Sequence, residues 1–325
     1  MLRRTALVTL LAWSFAAHAQ LPQPASELMA LNGIPLDAMS ALVIRGNTLM
    51  VSQHIDRPMA PASTMKLVTT LVGLEQLGPV FKGRTEFLAA GEIVDGRLKG
   101  DLILRGGADA DLNGDELRRM LQSLRNQGIR RIDGRLVIDR GLFNPSRQDV
   151  GVPPFDEAPE AYYNVIPDAL LVNKNMLQVD MRSTAKGIKL AMEPRLDRVS
   201  IESAMTLIDG DCAKWEDGWK QPEVKKEENG RIRVILNGTF PKDCAKTNSI
   251  NVVDRQDYVE RLVRLTWKQL GGTMRGEAVE GTTPVEARVL AAHMSRALPE
   301  VVRDINKPSD NALALTVFLS LGTLE

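Results

Sequence analysis

In RPMAPASTMKLVTTLVGLEQLGP, residues 57–79, a motif and a helix start coincide. Pro58 and Pro61 hold Arg57 to Ala62 out of a helix. A helix is then predicted from about Ser63 to Leu77, with Ser63 as N-cap and Gly78-Pro79 as the stop. Val68, Leu71, Val72 and Leu77 fall on or near one face, so the helix is expected to be packed. Ser63-Thr64-Met65-Lys66 at its start has the spacing S-x-x-K. Residues three apart on a helix are neighbours, so Lys66 is within reach of the Ser63 hydroxyl. A serine nucleophile needs a base, and a partly buried lysine is one of the few groups that replaces histidine in that role. The positive end of the helix favours the anion that develops during attack.

The motif is short, and the chain holds a second copy, Ser183-Thr184-Ala185-Lys186. That copy runs into Gly187 between two strand-like runs and reads as a turn. The first copy gains weight from Ser309-Asp310-Asn311, an S-D-N sequence between Lys307-Pro308 and the apolar run Ala312 to Leu321. The Ser309 hydroxyl can relay a proton between Lys66 and a leaving amine. The Asn311 amide can hold the lysine and a substrate peptide carbonyl. Histidine offers little competition: beyond the leader the chain has only His54 and His293, and no G-x-S-x-G elbow is present. His293 is read as structural, in an Ala-rich helix.

The N-terminus carries Arg3 and Arg4, an apolar run Ala6 to Ala17, and the small-x-small site Ala17-His18-Ala19. This is the layout of a secretory leader, residues 1–19, too short to span a bilayer. Export to the periplasm follows as an expectation, with no transmembrane segment after cleavage. In an oxidising compartment the two cysteines, Cys212 and Cys244, have one possible intramolecular pairing. Two cysteines without a nearby histidine are too few for a typical zinc site, so no metal is expected. Lys plus Arg and Asp plus Glu both number 41, which gives no reason to expect a nucleic-acid partner.

Between Thr85 and Ile250 short strand-like runs alternate with turns, interrupted by a helix from Gly114 to Gln127. Before it, Gly46-Asn47 joins two strands in a hairpin. After it, helical patterns are read at Asp254–Leu270, Pro284–His293, Pro299–Asn306 and Asp310–Leu321. The organisation expected is one α/β (α+β) domain from residues 20–84 and 251–325, with a large, mostly β domain, 85–250, inserted into it.

Ala62-Ser63-Thr64-Met65-Lys66, a long insertion, and then Asn306-Lys307-Pro308-Ser309-Asp310-Asn311-Ala312 resemble the class C low-molecular-mass penicillin-binding proteins. These are the D-alanyl-D-alanine carboxypeptidase/endopeptidases of peptidase family S13. Gly100-Asp101-Leu102, Gly141-Leu142-Phe143, Tyr163-Asn164 and Leu170-Leu171-Val172-Asn173 resemble the family too. The two motifs lie 246 residues apart, far more than in class A β-lactamases. The resemblance implies a β-lactamase/transpeptidase-like fold, Ser63 as the acylated nucleophile, Lys66 as its base, Ser309 in the proton relay and Asn311 on the substrate. It implies peptidoglycan stem peptides as substrate, β-lactam antibiotics as acylating agents, and no cofactor.

The chain departs from that pattern in one respect. The family's third motif, K-T-G, should follow S-D-N by roughly a hundred residues in the family's pattern, yet the sequence given ends at Glu325. Lys246-Thr247-Asn248 precedes S-D-N and lacks the glycine. A C-terminally truncated member with an incomplete catalytic domain and impaired turnover is therefore expected. Two other readings compete: a non-catalytic muropeptide- or penicillin-binding protein, and a β-lactamase-like hydrolase. The last needs a deacylating carboxylate, and Glu75 lies three turns along the helix from Ser63, out of reach.

Overall fold

The computed structural model describes residues 21–147 and 157–324, so the expected leader at 1–19 lies outside the described residues. The chain divides into two compact units, Met1–Ala62 and Ser63–Glu325. In the first, helix α1 (Gln23–Leu31) starts behind Pro22, with a second proline in its first turn, where the missing N–H costs nothing. The predicted hairpin forms from strands Ala41–Arg45 and Thr48–Gln53, and Gly46 supplies a φ of +57° in the turn.

The second unit holds helices α2 (Met65–Gln76), α3 (Gly114–Asn126), α4 (Arg255–Gln269), α5 (Leu298–Asn306) and α6 (Asn311–Leu321). Its main sheet has five strands in the order Ala278–Glu280, Leu136–Asp139, Asp101–Gly107, Arg84–Ala90 and Arg288–Met294. The first three run parallel and the last two join antiparallel. Helix α3 makes the crossover between Asp101–Gly107 and Leu136–Asp139, as parallel strands require. Its start is fixed by Asn113, whose Oδ1 accepts from the amides of Asp115 and Glu116 at 3.0 Å each. Leu117, Met120, Leu121 and Leu124 bury one face of α3 at roughly 1.5–3 kcal/mol per fully buried side chain. Behind it α4 buries Tyr258 and Trp267, and the Arg125 guanidinium lies 5.5 Å from the Trp267 ring centroid.

Three smaller sheets extend the same core. One joins the short strands Ile93–Val94, Arg97–Leu98, Arg131–Ile132 and Thr273–Met274. Leu177–Thr184 pairs with Gly187–Glu193 and with Ala245–Ile250. Ile232–Pro241 pairs with Val199–Ser203, Thr206–Ile208 and Trp219–Lys226. Cys212 and Cys244 form the disulfide. The second S-x-x-K copy is the hairpin turn expected of it. Ser183 is buried, its Oγ donating to the Pro241 carbonyl at 2.6 Å and accepting from the Cys244 amide at 2.9 Å.

Four expectations change. The stretch Pro284–His293 is not helical; Arg288–Met294 is the edge strand of the main sheet. Its alanines suit a helix, but the free edge of Arg84–Ala90 gives its backbone a ladder instead. That strand and Ala278–Glu280 join a sheet begun at Arg84, and one apolar core runs from Phe87 to Leu290. No break in packing therefore falls at residue 250; the return of helical periodicity in α4 suggested one. Ser63 is not a helix N-cap: it lies in the 3₁₀ turn Ala62–Thr64, and Thr64 takes the cap position of α2. Finally, Val68, Leu71 and Val72 are exposed. Apolar residues ring α2, and periodicity alone does not say which side packs. The packed side is that of Thr70 and Gly73, with Leu74 and Leu77 against a cluster of α5 and α6 residues including Val301, Ile305, Leu313 and Val317.

At Gly73 this contact is tight. A Cβ there would stand 2.6 Å from Val317 Cγ1. Alanine ordinarily stabilises a helix interior relative to glycine, but here the β-branched Val317 has little freedom to move aside. Gly73→Ala is expected to destabilise the protein by about 1–3 kcal/mol, and adding Val317→Ala should relieve the clash. Urea unfolding of the two variants checks this.

Candidate active site

The S-x-x-K and S-D-N segments meet. Lys66 Nζ donates to Ser63 Oγ at 3.0 Å, and Ser309 Oγ donates to the same oxygen at 2.9 Å. Ser63 is exposed, while Lys66 and Ser309 are half-buried. The nucleophile candidate is therefore open to a ligand while its two partners are held by the fold.

Backbone strain marks both segments. Ala62 has φ +46° and Ser309 φ +63°, both in the left-handed region that side-chain-bearing residues avoid. Such outliers persist only where the surroundings fix them. Around Ser309 the fixing contacts can be named. The Asp310 amide donates to the Ile305 carbonyl at 2.9 Å. Asp310 caps α6, its Oδ1 accepting from the Leu313 amide at 2.9 Å, and its Oδ2 pairs with Lys174 Nζ at 2.5 Å. Asp310 is thus the helix cap.

Asn311 donates through Nδ2 to the Tyr163 carbonyl at 2.9 Å rather than to Lys66. The Tyr163 loop is in turn held by a buried ion cluster. Arg140 Nε and Arg255 Nη1 both reach Asp168 Oδ2, at 3.1 and 3.0 Å, and Asp168 Oδ1 accepts from the Leu170 amide. Removing Asp168 would leave two buried guanidinium groups without their common anion. A further link crosses the motifs. Asn306 Nδ2 donates to Thr70 Oγ1 at 3.2 Å, and Thr70 Oγ1 donates to the Lys66 carbonyl at 2.8 Å.

Lys174, Tyr163, Thr70 and Asn306 were not singled out by sequence as parts of a site. Tyr163 and Asn306 do fall within stretches that carry the family resemblance. Thr70 and Lys174 gave no signal. His293 is engaged elsewhere, its Nδ1 lying 2.6 Å from Asp109 Oδ2. Burial pushes the Asp109 carboxyl up, an effect that the His293 contact opposes without reversing. Among the described residues no group of three His, Cys, Asp or Glu is placed to hold a metal ion.

This geometry stands in a chain that belongs to the D-Ala-D-Ala carboxypeptidase 3 (S13) family, whose family model matches residues 33–324. Among relatives, D-alanyl-D-alanine carboxypeptidase DacB of Haemophilus influenzae is 26% identical over 283 residues, covering 86% of this chain and 57% of that protein. A D-alanyl-D-alanine carboxypeptidase of an Actinomadura species is 28% identical over 275 residues, covering 81% and 49%. The crystal structure of penicillin-binding protein 4 from H. influenzae superposes with a TM-score of 0.70 at 24% identity, over 86% of this chain and 60% of that one. The fold is thus that of the penicillin-binding proteins, and the chain spans half to three fifths of the length of these relatives.

A small ion network joins the residues just before α5 to Asp111, in the loop after strand Asp101–Gly107. The Arg296 amide donates to Asp111 Oδ2 at 2.7 Å, and its Nη2 reaches Asp111 Oδ1 and Asp304 Oδ2, each at 2.7 Å. Burial alone would push the Asp111 carboxyl up; the Arg296 guanidinium and amide outweigh it and hold it below its ordinary value. Stability from a depressed carboxylate is present above its unfolded value and is lost as pH falls through the folded one. Arg296→Gln is therefore expected to lower stability at neutral pH, with the difference from wild type closing below about pH 4. Urea unfolding of both proteins across that range measures it.

Proposed function

We propose that the chain carries the acylation site of a serine-type D-Ala-D-Ala carboxypeptidase or muropeptide endopeptidase acting on peptidoglycan stem peptides. The observation that supports this best is the convergence of Lys66 Nζ and Ser309 Oγ on Ser63 Oγ, at 3.0 and 2.9 Å, from segments 246 residues apart. In this reading the Lys66 amine serves as the base that takes the Ser63 proton as the oxygen attacks the carbonyl of the D-Ala-D-Ala bond. The proton passes through the Ser309 hydroxyl to the leaving amine of D-alanine, and the acyl group stays on Ser63 as an ester. Water then releases it. Asn311, anchored on the Tyr163 carbonyl, would present its amide to the peptide chain of the substrate.

The names of the relatives support the substrate class, and a second crystal structure of the H. influenzae protein is described as complexed with a β-lactam (TM-score 0.59, 24% identity, covering 80% of this chain and 55% of that one). A β-lactam acylates the same oxygen in this reading. The leader-like N-terminus and the disulfide support action in the periplasm, where peptidoglycan lies. No helix among the described residues is long and apolar enough to cross a membrane.

Intact-mass analysis after incubation with benzylpenicillin tests the proposal. One penicilloyl group is expected, mapping to the Ser63 peptide and absent from Ser63→Ala. Folded protein that gains no mass would contradict an acylation site and leave a non-covalent binding protein.

A further inference from the structure

The peptide Val172-Asn173-Lys174-Asn175-Met176 has an unusual backbone. Asn173, Lys174 and Asn175 have φ of +49°, +53° and +58°, three left-handed residues in a row. Asparagine tolerates this region better than most residues, and here both asparagine amides are also held by the core. Asn173 Oδ1 accepts from the Gly114 amide at 3.1 Å, and its Nδ2 donates to Tyr258 Oη at 3.1 Å. Asn175 Nδ2 donates to Asn251 Oδ1 and to the Val253 carbonyl at 2.7 and 2.8 Å. These contacts tie the turn to the start of α3 and to α4, the rigid part of the core. Lysine at the centre has no such intrinsic tolerance of the left-handed region. Its ammonium points instead to Asp310, 136 residues away in sequence.

We propose that Lys174 is a positioning residue for the acylation site: by gripping Asp310 it fixes the left-handed turn that aims the Ser309 hydroxyl at Ser63. This rests on the reading above, in which Ser63 is acylated and Ser309 relays its proton. The two Asp310 oxygens divide the task. Oδ1 caps α6 and sets where the helix begins; Oδ2 pairs with Lys174 and sets how the preceding turn is rotated against the core. The next residue back is Ser309, held at φ +63° with its hydroxyl on Ser63. An ion pair on an open surface contributes little, because two long side chains must be ordered in water. Here the Lys174 side chain is 44% exposed but the Asp310 side chain only 13%, so the carboxylate has little water to replace the ammonium. Without the ammonium, a mostly buried carboxylate loses one of its two anchors, and Ser309 is free to relax from its strained φ.

Lys174→Asn removes the ammonium while keeping a residue suited to the left-handed turn, so folding is spared. Lys174→Arg keeps the charge. Single-turnover acylation of the full chain by benzylpenicillin is followed by mass at several drug concentrations. Lys174→Asn is expected to lower the maximal acylation rate on the order of ten- to a hundredfold, with little change in the half-saturating concentration. Lys174→Arg should restore most of it. An unchanged rate in Lys174→Asn, or a loss that Lys174→Arg does not repair, would overturn the proposal. Hydrogen exchange at the Asp310 and Leu313 amides gives a second reading that needs no drug. If the wild type is not acylated, the peptidase reading fails and exchange alone decides. Faster exchange in Lys174→Asn than in wild type upholds the latch, and equal exchange overturns it.

Discussion

The close approach of α2 to α6 is the constraint on which the candidate site depends. Ser63 and Lys66 enter at the start of α2; Ser309 stands in the turn before α6. A hydroxyl–hydroxyl contact of 2.9 Å between segments so far apart in sequence requires the two helices to be set against each other with little tolerance. Gly73 permits that approach because Val317 occupies the space a side chain would need. Thr70 then connects both sides, accepting from Asn306 at the end of α5 and donating to the Lys66 carbonyl. Small residues on the packed side of α2 are therefore part of what aligns the site, although none of them is chemically reactive.

The second segment is held from another direction. Asp310 is bonded to the Ile305 carbonyl, the Leu313 amide and Lys174, and Asn311 to the Tyr163 carbonyl. Two of these partners come from residues 160–176, whose own anchors are the buried Asp168 pair and the asparagines at 173 and 175. Long-range contacts to the α/β core thus place a turn that the local sequence alone would not hold in the left-handed region. The site is assembled by three parts of the chain, and the part between the motifs contributes supports rather than reacting groups.

Much of this was legible in the sequence, for identifiable reasons. Helices α3, α4, α5 and α6 announced themselves through periodicity and end signals, and the hairpins through Gly46-Asn47 and Ser183 to Gly187. The contact of Lys66 with Ser63 was expected from motif spacing, the role of Ser309 beside them from the pairing of the two motifs, and the single pairing of Cys212 with Cys244 from counting. What was not legible depends on tertiary context. The edge strand Arg288–Met294 owes its form to a neighbour some two hundred residues earlier. The choice of Thr70 and Gly73 over Val68, Leu71 and Val72 as the packed side of α2 is made by the helix it meets. Lys174 lies among ordinary turn-forming residues, and only the fold decides where its ammonium goes.

Acylation kinetics of Ser309→Ala test the central claim most directly, that the two motif segments form one site. Benzylpenicillin would be added to the folded variant and the penicilloyl adduct on Ser63 followed in time by mass. The account predicts an unchanged unfolding midpoint and acylation slowed on the order of a hundredfold, as expected when one proton-transfer group is removed. Acylation of Ser63 at the wild-type rate would show that Ser309 takes no part, and would contradict the account.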